Sequence, residues 1–280
     1  MTPPVRSWLF VPADSEKKIA KAFASDADAL ILDLEDSVAE ERKSAARGIV
    51  ADRLVERGAG PQRWVRINRI GSGAIDADLA LVRDLAIAGI VLPKAENGAD
   101  IVAIGKALPP GVRIHAVVTE TAASLFGLDD YRHAGPGLLA AMSWGAEDLS
   151  AALGATSKYD ADGGLSFTYR MARSLCLAGA VAAGVQPVDG IFADFRDADG
   201  LRAEAVAARR EGFTGKLAIH PDQIAIINAA FTPAEEELAA AWRVVAAFAA
   251  DPDVGTIALD GRMLDRPHLL AAQRTLGLAR

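Results

Sequence analysis

The chain alternates two hydrophobic patterns. Short, almost continuously apolar runs are separated by longer stretches in which apolar residues recur every three or four positions among charges. The first pattern is that of a strand buried on both faces, the second that of an amphipathic helix. The strand-type runs are SWLFVPA (7–13), ALILDLED (29–36), RWVRIN (63–68), GIVLPK (89–94), RIHAVVTE (113–120), LLAAMSWGAED (138–148), VDGIFADF (188–195) and GKLAIHP (215–221). Helical stretches such as SEKKIAKAFAS and GLRAEAVAARREGF lie between them. Strands that alternate with helices pair in parallel. Eight such units predict an α/β fold, a closed (β/α)8 TIM barrel over residues 1–231, rather than a doubly wound sheet. No Gly-rich dinucleotide fingerprint or P-loop follows any of the runs.

The pattern continues past the eighth unit into a C-terminal helical extension, residues 232–280. TPAEEELAAAWRVVAAFAA (232–250) predicts a helix with Thr232 as N-cap, Pro233 at the first helical position and Glu235 closing a capping box. The acidic run Glu235, Glu236 and Glu237 suits the positive end of the helix dipole. VGTIALDGRMLDRPHLLAAQRTLGLA (254–279) adds a short extended piece, a Gly turn and a last helix. Three placements are open to this extension: packed on the barrel, over its mouth, or against a neighbouring subunit.

Composition narrows the class. Of 280 residues, 51 % are hydrophobic and 24 % charged, which fits a soluble globular chain with a sizeable core. A net charge of −7 argues against a nucleic-acid face. No apolar run approaches the roughly 18 residues of a membrane span. The apolar run near the N-terminus is interrupted by Pro12 and followed by Asp14, unlike a signal peptide. A cytoplasmic protein with neither nucleic acid nor membrane as partner is expected. The single cysteine, Cys176, excludes an internal disulfide and reads as a small core residue of an apolar helix.

The ends of the strand runs carry the candidate chemistry. In a (β/α)8 barrel they share one rim, where active sites are built. Asp33, Glu35 and Asp36 close the second run, Arg66 and Asn68 the third, Lys94 the fourth and Glu120 the fifth. Glu147 and Asp148 close the sixth, Asp194 the seventh and His220 the eighth. Three carboxylates within four residues at the end of a buried run need a metal ion, a cation, a substrate or water against them. Glu120 and Asp148, on neighbouring strands, form an oxygen pair suited to Mg²⁺, which keeps several waters and takes only one or two protein carboxylates. No His/Cys cluster has zinc spacing. Arg66 offers a planar fork for a substrate carboxylate. An oxygen-rich Mg²⁺ site beside an arginine suits a 2-oxo acid or a hydroxy acid. Rims of many activities share these features, so the pattern alone names no reaction.

The motifs narrow the field. RSWLFVPA is followed by DALILDLEDSVAEERKSAAR, WVRIN, VLPKAEN, VTETAASL and SWGAEDLSAALGA. Then come ADFRDADGLRAEAVAARREGFTGKLAIHPDQIAIINAAFTP and LDGRMLDRPHLLAAQ. In this order, over essentially the whole chain, they resemble the HpcH/HpaI aldolase/citrate lyase superfamily. The resemblance is to its citrate lyase beta-subunit-like branch, related to malyl-CoA and citramalyl-CoA lyases. It implies a TIM barrel in a homotrimer or hexamer and a Mg²⁺-dependent carbon–carbon lyase. The reaction implied is reversible cleavage of a 3-hydroxyacyl-CoA of malyl, citramalyl or citryl type to acetyl-CoA or propionyl-CoA and a 2-oxo acid. It implies Glu120 and Asp148 as metal ligands, with Arg66 and Glu120 against the substrate. Asp265 in GRMLDRPH is implied as the base that takes the acyl proton in the condensation direction, delivered across a subunit boundary.

Around this catalytic set of Asp265, Arg66 and Glu120, the residues Glu35, Asp36 and Lys94 are expected to bind metal waters or to hold one another. Asp33 alternates in facing with Asp36 and is the one of the three acids least expected to share this role. None of the three early acids is expected to bind the metal directly. His220 is expected to position the loop after the eighth strand. One departure bears on the thioester carrier: Ala13 stands where the family's opening motif ends in Gly. The resemblance implies that this loop borders the carrier's phosphates. Lys17, Lys18 and Lys21 are candidates for CoA phosphates. The alternatives are a citrate lyase beta subunit acting on a carrier-protein citryl thioester, a free-acid pyruvate aldolase, and a non-catalytic oxo-acid-binding barrel.

Overall fold

The computed structural model describes residues 3–55, 58–135, 137–252 and 254–279. Eight parallel strands close a barrel in sequence order, as the pattern predicted, and the eighth pairs back onto the first. They are β1 (Ser7–Pro12), β2 (Ala29–Asp33), β3 (Gln62–Arg66), β4 (Gly89–Leu92), β5 (Arg113–Val118), β6 (Leu139–Trp144), β7 (Gln186–Asp189) and β8 (Gly215–Ala218). Helices cover the outside, so both faces of a strand are shielded from water. Every residue of β2 is buried for this reason, which is why it reads as a continuous apolar run.

Side chains alternate between the barrel interior and the helix layer. Trp8, Ile31, Trp64, Val91, Val117 and Leu217 point inward as one cluster, and a larger cluster lies between strands and helices. Near the strand starts, Trp8 meets Trp64 and His115 edge to face, with ring centroids 5.0 and 4.6 Å apart. His115 Nε2 lies 2.8 Å from Ser143 Oγ, and burial pushes the His115 pKa down to about 3, so this histidine is a neutral core group. The aromatic plug fills one end of the barrel and leaves the C-terminal end for a cavity.

Strands end earlier than the pattern predicted. The chain leaves β2 at Asp33, whose carboxylate accepts from the backbone N–H of Glu35 at 2.9 Å and of Ser37 at 3.2 Å. This side-chain turn replaces the strand geometry expected through Asp36. The 138–148 run divides into β6 and the helix Ala146–Leu153, with Gly145 between them, so Glu147 and Asp148 belong to a first helical turn. β7 stops at Asp189; a Cβ on Gly190 would lie 2.9 Å from Trp144 Nε1, because the indole crosses the strand end. Asp194 is therefore exposed loop, not a strand end.

Behind these ends, in the helix layer, Asp189 Oδ1 accepts from Trp144 Nε1 and from Arg173 Nε, both at 2.8 Å. Lys216 Nζ donates to Asp189 Oδ2 at 2.9 Å and to Gly190 O at 2.8 Å. Burial works to raise the Asp189 pKa, but the two cations outweigh it and hold it at about 2. The network ties β6, β7 and β8 together below the rim. Cys176 is buried in the helix Phe167–Ala182, where burial pushes its thiol pKa up, as befits a core residue.

The C-terminal extension consists of the helix Glu235–Ala250, a hairpin of β9 (Thr256–Leu259) and β10 (Arg262–Asp265), and the helix Arg266–Gly277. The two helices pack against each other. Asp260 and Gly261, at φ 51° and 73°, make the two-residue hairpin turn, so the expected single extended piece is two strands. The cap predicted at Thr232 is displaced. Ala234 is the N-cap, and Glu237 Oε2 accepts from its N–H at 2.8 Å. Thr232 Oγ1 instead donates to Asn228 O and accepts from Arg6 Nη1, so tertiary contacts outbid the local cap. Trp242, Met263 and Leu270 remain exposed on the extension. Among the described residues, no helix is long and apolar enough to cross a membrane.

Candidate active site

A cavity of about 260 Å³ opens at the C-terminal rim. β2 and β3 supply its first wall. Asp33 and Arg66 are direct register partners, and their side chains meet in a two-pronged ion pair, Nε to Oδ1 and Nη2 to Oδ2, each 2.7 Å. Arg66 Nη1 lies 3.0 Å from Glu35 Oε2, and the guanidinium rests on the Phe10 ring at 4.8 Å. Burial works to raise the Asp33 pKa, but Arg66 outweighs it and keeps the carboxylate below the ordinary range. Asp33, the acid least expected to share this role, is thus the side chain that orients Arg66. The strand alternation behind that expectation stops at Asp33 itself, where β2 ends.

β4 and β5 supply the second wall. Lys94 Nζ bridges Glu35 Oε1 at 2.6 Å, Asp36 Oδ2 at 3.2 Å and Asp148 Oδ1 at 3.1 Å. Its backbone N–H donates to Glu120 Oε2 at 2.6 Å. Lys94 and Thr119 hold φ of 52° and 64°, a left-handed backbone uncommon for such residues, on both sides of this contact. Burial, reinforced by the Asp148 charge and only partly offset by Lys94 and Arg66, raises the Glu120 pKa to about 8. Burial likewise outweighs Arg66 and Lys94 at Glu35 and raises its pKa.

Glu120, Glu147 and Asp148 face Asp33 and Arg66 across the cavity, with Ser37 on its border. Phe10, Pro12, Ile191, Leu217 and Ile219 complete the lining. Glu147 pairs with Lys158. Gly145 fixes the approach of β6: a Cβ there would lie 2.6 Å from Glu120 Cγ and 2.7 Å from Oε1. The donors are all oxygens. Among the described residues no three acidic, histidine or cysteine side chains converge as a metal cage. A carboxylate pair with open cavity beside it is instead the arrangement in which Mg²⁺ keeps its waters. The raised pKa of Glu120 marks a spot where negative charge lacks a full counter-charge, so a divalent cation fits.

Apart from Asp265, the predicted residues fall into two groups. Arg66, Glu120 and Asp148 line the cavity, and Glu35, Asp36 and Lys94 form the ion-pair belt beside it. Asp265 is not among the lining residues. It is half exposed at the end of β10, with Oδ1 2.5 Å from His268 Nδ1, a hydrogen bond that lowers its pKa. His220 Nδ1 accepts from Asp222 N at 3.3 Å, and the ring stacks on Phe195 at 4.7 Å in the loop after β8. Lys17, Lys18 and Lys21 are exposed on the helix Glu16–Phe23.

Sequence reasoning missed Lys43. Its Nζ donates to Leu34 O, Glu35 O and Asn68 Oδ1 at 2.8, 3.0 and 2.7 Å and so pins the turn that carries Glu35. The signal was present: Lys43, Ala46, Val50 and Leu54 share the buried stripe of one helix, and a lysine on such a stripe needs buried acceptors.

Fold and site together define a (β/α)8 barrel with an acidic oxygen-donor centre beside an anchored arginine. The chain belongs to the HpcH/HpaI aldolase/citrate lyase family, whose model matches residues 6–221. A second model, the C–C bond lyases of the TIM-barrel fold, matches residues 167–280. By its family and its lyase relatives, the chain is an enzyme of carbon–carbon lyase type. It is 38 % identical to the protein CitE of Mycobacterium tuberculosis, whose crystal structure with magnesium, acetoacetate and coenzyme A superposes with a TM-score of 0.83 over 98 % of both chains. It is 36 % identical to a (3S)-malyl-CoA thioesterase of Cereibacter sphaeroides, covering 99 % of this chain and 95 % of the relative. It is 35 % identical to the mitochondrial citramalyl-CoA lyase of Rattus norvegicus, over 99 % of this chain and 86 % of the relative.

Proposed function

We propose that the chain is a Mg²⁺-dependent lyase that joins and cleaves 3-hydroxyacyl-CoA thioesters. The carrying observation is the placement of Glu120 and Asp148 opposite the Asp33-anchored Arg66 in one cavity. Glu120 and Asp148 would hold Mg²⁺, which supplies Lewis acidity to the oxygens of the oxo acid when bound. Arg66 uses three N–H groups on Asp33 and Glu35, and the remaining two of a guanidinium's five suit the substrate carboxylate. Lys94 neutralises the acids beside the centre and, through its backbone, fixes the Glu120 carboxylate.

In the condensation direction Asp265 takes a proton from the carbon next to the thioester. That carbon attacks the oxo-acid carbonyl, one C–C bond forms as the carbonyl π bond opens, and the new alkoxide takes a proton from a water, which recovers one from Asp265. Cleavage runs the same steps backwards. The His268 hydrogen bond keeps Asp265 ionised, as a base requires. Asp265 is absent from the cavity lining of its own chain, and Trp242, Met263 and Leu270 leave apolar surface on the extension. Both support delivery of Asp265 into a neighbouring copy in a homo-oligomer.

The test is mass spectrometry of purified protein with malyl-CoA, citramalyl-CoA and citryl-CoA, in Mg²⁺ or in EDTA. EDTA-sensitive release of acetyl-CoA with a 2-oxo acid is expected. Release of free CoA with an intact hydroxy acid would instead place the chain beside its thioesterase relative. No turnover of any CoA ester by folded, Mg²⁺-loaded protein would overturn the CoA-lyase reading.

A further inference from the structure

Three sides of the cavity differ in chemistry. The β5–β6 side bears Glu120, Glu147 and Asp148, and the β2–β3 side bears Asp33 and Arg66. The remaining arc, β7, β8 and β1, presents only apolar side chains: Ile191 after β7, Leu217 and Ile219 from β8 and just beyond it, and Phe10 and Pro12 of β1. Arg66 is the one basic side chain among the described lining residues, and it already answers Asp33 and Glu35. Two cations that meet acids of this rim are engaged as well, Lys94 by Glu35, Asp36 and Asp148, and Lys158 by Glu147.

The carbinol carbon of a 3-hydroxyacyl thioester of this type carries four groups: the hydroxyl, a carboxylate, the thioester arm and one further substituent. The first two belong with the metal and Arg66. The thioester arm must leave through the open mouth, since its carrier is too large for the cavity. The remaining substituent is left facing the apolar arc. A hydrogen or a small alkyl group is at home there, and alkyl removes more apolar surface from water. A second carboxylate would be desolvated against five apolar side chains, with four lining acids around it and no unpaired cation among the described lining residues.

We infer that the 2-oxo acid handled by this site is a monocarboxylate with a small alkyl substituent, of the pyruvate type, and that Ile191 and Ile219 select it against dicarboxylates such as oxaloacetate. The inference rests on the lyase reading, and the experiment separates the two. The wild-type protein is assayed with citramalyl-CoA, malyl-CoA and citryl-CoA, whose further substituents are methyl, hydrogen and carboxymethyl. The expected order of kcat/KM is methyl above hydrogen by about tenfold, and both above carboxymethyl by about a hundredfold or more.

The exposed edge of Ile219 makes Ile219→Arg a tolerable surface change, and it supplies the missing cation. It is expected to raise citryl-CoA turnover relative to citramalyl-CoA by about tenfold or more. Citryl-CoA turnover equal to that of citramalyl-CoA in the wild type would overturn the inference and leave the lyase reading standing. If no thioester turns over, calorimetry with free pyruvate and oxaloacetate in Mg²⁺ decides. Tighter pyruvate binding upholds the selectivity without the lyase. Equal affinities, or no binding of either, overturn it.

Discussion

Lys94 holds Glu120 by its backbone and not by its ammonium: the N–H donates to Oε2 at 2.6 Å, while Nζ turns away to Glu35, Asp36 and Asp148. The two functions of this residue are therefore separable. Lys94→Met keeps the hold on Glu120 and removes the bridging charge. It is expected to cost about 3 kcal/mol of stability, because Glu35 loses a buried partner. Mg²⁺ affinity is expected to rise, since a cation beside Asp148 is gone. Thermal denaturation and Mg²⁺ calorimetry on the same variant give the two signs. A fall in Mg²⁺ affinity would mean that the ammonium positions Asp148 rather than competes with a metal.

Gly145 is a sharper probe of the same carboxylate. Its backbone is extended, at φ −122°, so alanine suits the conformation but not the space, given the 2.6 Å approach to Glu120 Cγ. Gly145→Ala is expected to lower Mg²⁺ affinity by about tenfold or more by displacing Glu120, with a Tm change of a few degrees. Unchanged Mg²⁺ affinity would show that Glu120 is not a ligand.

The bidentate pairing of Arg66 with Asp33 predicts a harsh outcome for a nominally mild change. Arg66→Lys keeps the charge but loses the planar fork that meets Asp33 and Glu35 and, in the proposed reaction, the substrate carboxylate. A fall in kcat/KM of about a hundredfold is expected. Steady-state kinetics with the best thioester substrate measures it, and near-wild-type kinetics would remove Arg66 from the substrate site.

Stability of the metal-free protein should depend on pH in an unusual direction. Burial and Asp148 raise the Glu120 pKa from 4.5 to about 8. Between those values the folded protein keeps a proton that the unfolded chain releases. Its stability therefore falls as pH rises through this window and levels off above pH 8. Denaturant titrations in EDTA should show a contribution of about 1.4 kcal/mol per pH unit in wild type that is missing in Glu120→Gln. Parallel curves for the two proteins would contradict the assignment.

Delivery of Asp265 between subunits predicts complementation. Asp265→Ala and Arg66→Ala are each expected to be nearly inactive. Mixed oligomers should regain activity, because some cavities then combine an intact Arg66 with an intact Asp265. Verified mixed oligomers without recovery would place Asp265 in its own chain's site or outside the reaction.

The barrel is legible in the pattern of the chain alone. A parallel strand covered on both faces has a composition of its own, and eight such runs alternating with helical stretches admit few other closures. The sequence also places acids, an arginine and a lysine together on one rim, because all strand ends of a (β/α)8 barrel point the same way. Its motifs carried the family. The tertiary structure decided the rest. Where β2 stops, and hence that Asp33 orients Arg66, depends on a side-chain turn that a polar run does not reveal. Lys94 reaching Asp148, and Lys43 pinning the β2 turn, join residues far apart or on different elements. The Thr232 cap was lost to partners on Arg6 and Asn228. Hydrophobic periodicity is a local property, set by which face of an element meets water. Ion pairs, close approaches and strand ends are set by distances that exist only once the barrel has closed.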